Sequence, residues 1–174
     1  DGDLGITMSL GFTKTAEGLA ALDEPDVGKL LMRAGMLMSQ HVPSTMGTLM
    51  ASGLMEGGKA LKGREEIDAA GLALFVEKFR DALIMRGKAQ PGEKTIVDTF
   101  DYSVKAVTAC TGTSLEDCAK AAEKGALDGL EATKTMMSVH GKAAVFREKT
   151  IGRPDPGAMV GYMFLKAIAD FVNG

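Results

Sequence analysis

Along the 174-residue chain, apolar positions recur three and four residues apart and do not alternate, which is the spacing of one helix face. Leu72, Phe75, Val76, Phe79 and Leu83 form the clearest stripe, at i, i+3, i+4, i+7 and i+11. Ile96, Val97, Phe100, Val104 and Val107 form a second. The same periodicity predicts helices over 6–22, 26–41, 44–61 and 157–172. From Ser114, with Asp117 in capping-box spacing, the pattern runs through Ala121, Ala122, Leu127 and Met136 and is compatible with one long helix over 114–140, stopped by Gly141. Pro43, the Gln90-Pro91-Gly92 turn and Arg153-Pro154-Asp155-Pro156 are the punctuation. Seven helices joined by short links such as Asp23-Glu24-Pro25 imply antiparallel neighbours. The expected fold is all-α, an up-and-down antiparallel helical barrel or bundle, with residues 1–174 forming a single domain.

Composition agrees, being rich in Ala, Met, Leu, Lys and Glu with no Trp and only two Tyr. Glycine complicates the picture: Gly28, Gly35, Gly47, Gly53, Gly57 and Gly58 lie inside helical stretches, where each costs up to about 1 kcal/mol relative to Ala. Close helix contact is the ordinary account; backbone approach to a ligand at Gly47 is the sharper one. The methionines Met32, Met36, Met38, Met46, Met50 and Met55 read as adaptable core.

Charge and targeting signals narrow the function. A net charge of −3 with scattered Lys and Arg offers no basic stripe, which argues against nucleic acid as a partner. No uncharged apolar run of about twenty residues and no signal-peptide pattern occur, so no membrane association is expected. Cys110 and Cys118 lack CxxC spacing or a His pairing, which argues against a zinc site or a disulfide scaffold and for a cytoplasmic location. The chain begins Asp-Gly-Asp with no initiating Met, and the expectation is that a segment lies upstream.

Four segments carry candidate chemistry. Asp1-Gly2-Asp3 can turn two carboxylates toward one point, as hard oxygen ligands do around Mg²⁺, and the following Gly5-Ile6-Thr7 opens a helix whose free N–H groups favour phosphate. A solvated turn or plain helix cap would use the same residues. Asp155 suits an N-cap and Pro156 the first helical position. Ser44-Thr45-Met46-Gly47 can open a helix and donate to phosphate or ribose. The stretch 86–95 reads as a polar, solvated connection. His41 and His140 each read as ending a helix, as surface or capping residues. No Ser or Cys nucleophile has a recognisable setting, so no catalytic nucleophile is expected.

The order and intervals of these segments resemble the L subunit, or nucleotide-binding L domain, of dihydroxyacetone kinases across nearly the whole chain. The family's G-D-G-D-H-G-x-N-M loop is resembled by Asp1-Gly2-Asp3-Leu4-Gly5-Ile6-Thr7-Met8, and its M-G-G-T-S-G helix start by Val42-Pro43-Ser44-Thr45-Met46-Gly47. Its R-G-K-A-x-x-G-D-K-T-M loop resembles 86–96, its G-A-x-x-T-x-x-M-x-x-x-x-G-R-A segment 129–143, and its D-P-G-A 155–158. Leu4 stands where the family has histidine, Thr7 where it has asparagine, and Pro43-Ser44 where it has two glycines.

The resemblance implies a barrel of eight antiparallel helices, of which seven are visible here and the first would precede Asp1. It implies ADP or ATP bound at one end with Mg²⁺, two ions in the family, held by Asp1, Asp3 and a third aspartate upstream. By the same resemblance Leu4, Gly5, Ile6, Thr7, Thr45 and Met46 would meet the phosphates. Gly87 and Ile96 would flank base or ribose, Lys142 would replace a usual arginine, and Asp155, Pro156 and Gly157 would close the pocket. The implied activity is phosphotransferase chemistry, with phosphoryl transfer to dihydroxyacetone or another small ketose bound on a separate K-type subunit. The phosphoryl source would be exchangeable ATP or, as favoured here, a phosphotransferase-system M-type subunit that rephosphorylates a retained ADP. The alternative is an L-like module with impaired nucleotide binding that acts as a regulator or scaffold.

Overall fold

The computed structural model describes residues 3–110 and 114–174, so Asp1 lies outside the described residues. It contains α1 (Leu4–Ala20), α2 (Val27–His41), α3 (Thr45–Ala60), α4 (Ala69–Gly87), α5 (Ile96–Ala109), α6 (Leu115–Ala132) and α7 (Pro156–Asn173). Two 3-10 stretches, Thr133–Thr135 and Lys142–Thr150, lie between α6 and α7, and there is no strand among the described residues.

Each helix packs on the next in sequence, and the glycines set the register. A β-carbon on Gly28 would meet the backbone of Gly58 and Lys62, and one on Gly35 the Ala51 carbonyl, so α2 and α3 run antiparallel at backbone contact. Gly53 faces Phe79 while Gly57 faces Phe75, and Gly125 faces Ser103 while Gly129 faces Thr99, which gives the same sense to α3/α4 and α5/α6. Helix contact therefore accounts for these glycines. Gly47 is crowded by Val42 of its own chain, so the ligand account of that residue is not needed.

The stripes read from the sequence face inward. Phe79 and Phe100 are fully buried and stack at 4.4 Å between ring centroids and 7° between planes, with Phe164 of α7 5.3 Å from Phe79. Burying such rings contributes roughly 2 to 3 kcal/mol each before the entropy of ordering them is charged. Of the methionines read as core, Met38 and Met50 are fully buried, but Met36 is 47% exposed because it lies on the outer face of α2.

The long helix over 114–140 does not form. α6 stops at Ala132, Thr133–Thr135 tightens into 3-10, and Met136 is extended at φ −90° and ψ 153°. The cause is tertiary: the Thr133 carbonyl accepts from the Lys94 ammonium at 2.6 Å, and its hydroxyl donates to Leu130 O and accepts from Asp155 N. His140 therefore ends no helix. It sits in the 136–155 connector, its Nε2 2.6 Å from Glu93 Oε2.

Candidate functional site

Helix starts gather at one end of the bundle. Because neighbours alternate in direction, α1, α3, α5 and α7 begin together, and contacts between them verify this. A β-carbon on Gly157 would lie 3.0 Å from Met46 Cε and 3.6 Å from Ile96 N, bringing the first turns of α7, α3 and α5 together. Thr99 Oγ1 donates to Ala158 O at 3.0 Å and fixes α5 beside α7. Val42, just before α3, is also the residue that a β-carbon on Gly11 of α1 would strike, which sets the first half of α1, two turns past its start, beside the start of α3.

The local chemistry of these starts differs. Ser44 Oγ accepts from Gly47 N at 3.1 Å, and an Asp155 carboxylate oxygen accepts from Ala158 N at 2.8 Å with Pro156 at the first helical position. Both were expected from sequence. α5 carries a capping box, in which Thr95 Oγ1 accepts from Val97 N and Asp98 Oδ2 from Thr95 N. Asp98, 1% exposed, also accepts from Gly92 N at 2.5 Å and so braces the preceding loop. Among the seven α-helices, α1 alone has no side-chain cap: Asp3 occupies the N-cap position and its carbonyl accepts from Thr7 N at 2.9 Å, but its carboxylate makes no bond to the helix. The N–H groups of Leu4, Gly5 and Ile6 and the Asp3 carboxylate are thus uncommitted, an arrangement suited to an anion with its counter-cation.

The stretch 86–95 is not a plain solvated connection. Ala89 and Lys94 are buried, and Lys94, at φ 59°, donates to the carbonyls of Thr133 (2.6 Å), Thr150 (2.9 Å) and Arg153 (2.6 Å). Burial holds the Lys94 ammonium below the usual lysine range, with the Asp155 carboxylate opposing. Burial also pushes the Asp155 carboxyl up, against its bonds from Ala158 and Gly157 N and the Lys94 charge. Glu93 accepts from Gln90 N at 2.7 Å as well as pairing with His140, and these two bonds hold its carboxyl below the usual range. Beneath the connector lies a cavity of about 430 Å³ lined by Lys94, Ser138, Phe146, Lys149, Arg153 and Asp155 among others.

Met46, Ile96, Asp155 and Gly157 are therefore adjacent, with Thr45 and Pro156 beside them in the first turns of α3 and α7. Leu4, Gly5, Ile6 and Thr7 form the first turn of α1 at the same end, and Gly87 ends α4 there against Leu49. Lys142 is exposed on the connector, two residues past His140. A divalent cation at this end fits Asp3, whose carboxylate is uncommitted, but the described residues contain no cluster of three His, Cys, Asp or Glu side chains able to hold one. Lys94, Asp98, Glu93 and Thr133 were missed from sequence. The Thr95-x-x-Asp98 spacing was a readable signal for one of them, whereas nothing local marks a lysine for burial.

An all-helical bundle with anion-receptive helix starts at one end defines the class. The DAK2 domain profile matches residues 1–170, and the chain belongs to that family. It is 29% identical over 171 residues to the ADP-binding subunit DhaL of the PEP-dependent dihydroxyacetone kinase of Escherichia coli (strain K12), covering 97% of this chain and 81% of that protein. It is 30% identical over 168 residues to the ADP-binding subunit DhaL of PEP-dependent dihydroxyacetone kinase 1 of Listeria innocua, covering 97% and 80%. The crystal structure of the dihydroxyacetone kinase of C. freundii shares the fold with a TM-score of 0.61 at 22% identity, over 92% of this chain and 28% of that one.

Proposed function

We propose that this chain is the nucleotide-binding subunit of a dihydroxyacetone-type kinase, which holds ADP or ATP at the α1/α3/α7 end and presents a phosphoryl group to a small ketose on a separate K-type subunit. The observation that carries this reading is the meeting of the α3, α5 and α7 starts at Gly157, beside an α1 whose N–H groups have no side-chain cap. The two relatives named above are ADP-binding subunits of PEP-dependent kinases, and this supports a phosphotransferase-system M-type subunit as the phosphoryl source and a cytoplasmic location.

In this reading the N–H groups of Leu4, Gly5 and Ile6, with Thr7 beside them and with Thr45 and Met46 of α3, receive the phosphates, the Thr7 N–H itself being taken by the Asp3 carbonyl at 2.9 Å. Gly87 and Ile96 flank base or ribose, Lys142 offers a cation, and Asp155, Pro156 and Gly157 form the wall opposite α3. Mg²⁺ bound by Asp1 and Asp3 would neutralise phosphate charge. Phosphoryl transfer is mainly a matter of positioning and charge compensation, so the lack of a protein nucleophile is no obstacle.

The test is retention of ADP through gel filtration in Mg²⁺, with release by a chelator. A protein that elutes empty and shows no ADP-dependent thermal shift defeats the proposal. One observation favours a second reading, a regulator or scaffold with impaired binding: Leu4 packs its side chain against the core, so it offers no polar contact where the family has histidine. Empty elution together with stable association with a K-type subunit is the outcome that reading requires.

A further inference from the structure

The connector between α6 and α7 spans the ligand end, yet little of its own structure holds it. Val145 is 82% and Phe146 61% exposed, and no residue of Lys142–Thr150 is buried. Besides short-range turn bonds such as Ala144 N to Gly141 O, Ile151 N to Glu148 O and Thr150 Oγ1 to Arg147 O, it is tied across itself by Gly152 N to Lys134 O at 2.7 Å and Ser138 N to Thr150 Oγ1 at 3.0 Å. Two adjacent residues of the 86–95 stretch reach it from the bundle, Glu93 through His140 and Lys94 through three carbonyls.

Lys94 is 4% exposed, and its three ammonium hydrogens match three acceptors. The acceptors come from the end of α6 (Thr133), the end of the second 3-10 stretch (Thr150) and the residue two before the α7 cap (Arg153). One cation thus gathers both ends of the connector. Thr133, whose carbonyl Lys94 holds, also accepts from Asp155 N, so the same cluster aims the first turn of α7. Asp155 puts a half-buried carboxylate at an end meant for phosphate, and the Lys94 ammonium is the opposite charge that acts on it.

We propose that Lys94 is a positioning residue for the nucleotide: by holding the Thr133, Thr150 and Arg153 carbonyls it clamps the connector at the ligand end and presets the α7 start for phosphate binding. This rests on the nucleotide-binding reading. A buried ammonium is a poor source of net stability, and its worth lies in selecting one arrangement of a weakly tied segment. Lys94 does not touch the reacting atoms.

Lys94→Met and Lys94→Arg test it. Tryptic cleavage after the exposed Lys142, Arg147 and Lys149 reads the clamp, and calorimetric titration with Mg·ADP reads the site. In Lys94→Met, connector cleavage should speed up at least about tenfold and the Kd for ADP rise about tenfold, with helical circular dichroism retained. Lys94→Arg, which keeps a buried cation, should recover most of both. Wild-type cleavage rates in Lys94→Met, unchanged ADP affinity in it, or identical behaviour of the Arg and Met variants overturns the proposal. If wild type binds no ADP, the nucleotide reading falls instead, and cleavage still reports on the clamp. Should Lys94→Met fail to fold, hydrogen exchange on wild type decides: the Gly152 and Asp155 amides should exchange together and slowly, and free exchange at both would refute the clamp.

Discussion

Gly157 of α7 lies against Met46 of α3 so closely that a β-carbon at 157 would stand 3.0 Å from Met46 Cε and 2.9 Å from an Asp155 carboxylate oxygen. Two helix starts meet there with no spare carbon's width between them. Gly157→Ala should therefore narrow the crevice, lowering ADP affinity about tenfold, or roughly 1.4 kcal/mol. The thermal midpoint should move by only a few degrees, since the Met46 side chain is flexible. Titration calorimetry beside a thermal melt checks both, and an unchanged Kd would separate position 157 from the site.

Asp3 occupies the α1 N-cap with only its backbone carbonyl bonded to the helix, so its carboxylate does no capping that a substitution could remove. Asp3→Ala should abolish Mg²⁺-dependent ADP retention while leaving circular dichroism and the denaturant midpoint near wild type. Retained ADP in this variant would move the metal site elsewhere.

Asp98 is buried and accepts from both Gly92 N and Thr95 N. Asp98→Ala strands two donors and dissolves the α5 capping box, which should cost about 3 kcal/mol in urea unfolding. The loss should appear as a lower midpoint at unchanged m-value.

Glu93 ties its own loop to the connector through Gln90 N and His140. Its folded pKa lies below the ordinary 4.5, so its contribution is present above that value and is lost as pH falls through the lower folded value. The difference in melting temperature between wild type and Glu93→Gln should accordingly be present at pH 6 and shrink toward zero well below pH 4.5. A difference that grows on acidification contradicts this assignment.

Gly53 inverts a general rule. Gly→Ala inside a helix ordinarily gains up to about 1 kcal/mol, but a β-carbon here would meet the ring of Phe79, which is fully buried and stacked on Phe100. Gly53→Ala should destabilise, by about 1 to 3 kcal/mol as overpacking does. A stabilised variant would show that the ring can give way.

The sequence by itself determined the helices, because the 3.6-residue spacing of residues such as Phe75, Phe79 and Phe100 is a local property that burial then exploits. It determined the caps at Ser44, Asp155 and Ser114 for the same reason, since a cap is written within three or four residues. The candidate site residues came from the family resemblance and not from periodicity, and the bundle brings Met46, Ile96 and Gly157 together because alternate helix starts share an end.

Only the tertiary structure decided where α6 ends, how the connector is held and what most helical glycines are for. Periodicity ran on past Ala132, but the bonds that stop the helix come from Lys94, 39 residues away, and from Asp155, 22 residues on. Gly28 and Gly35 look costly in isolation and become necessary once α3 is laid against them. A buried lysine, a histidine paired with Glu93 and a glycine under an aromatic ring each depend on a partner distant in the chain, and local pattern carries no information about such partners.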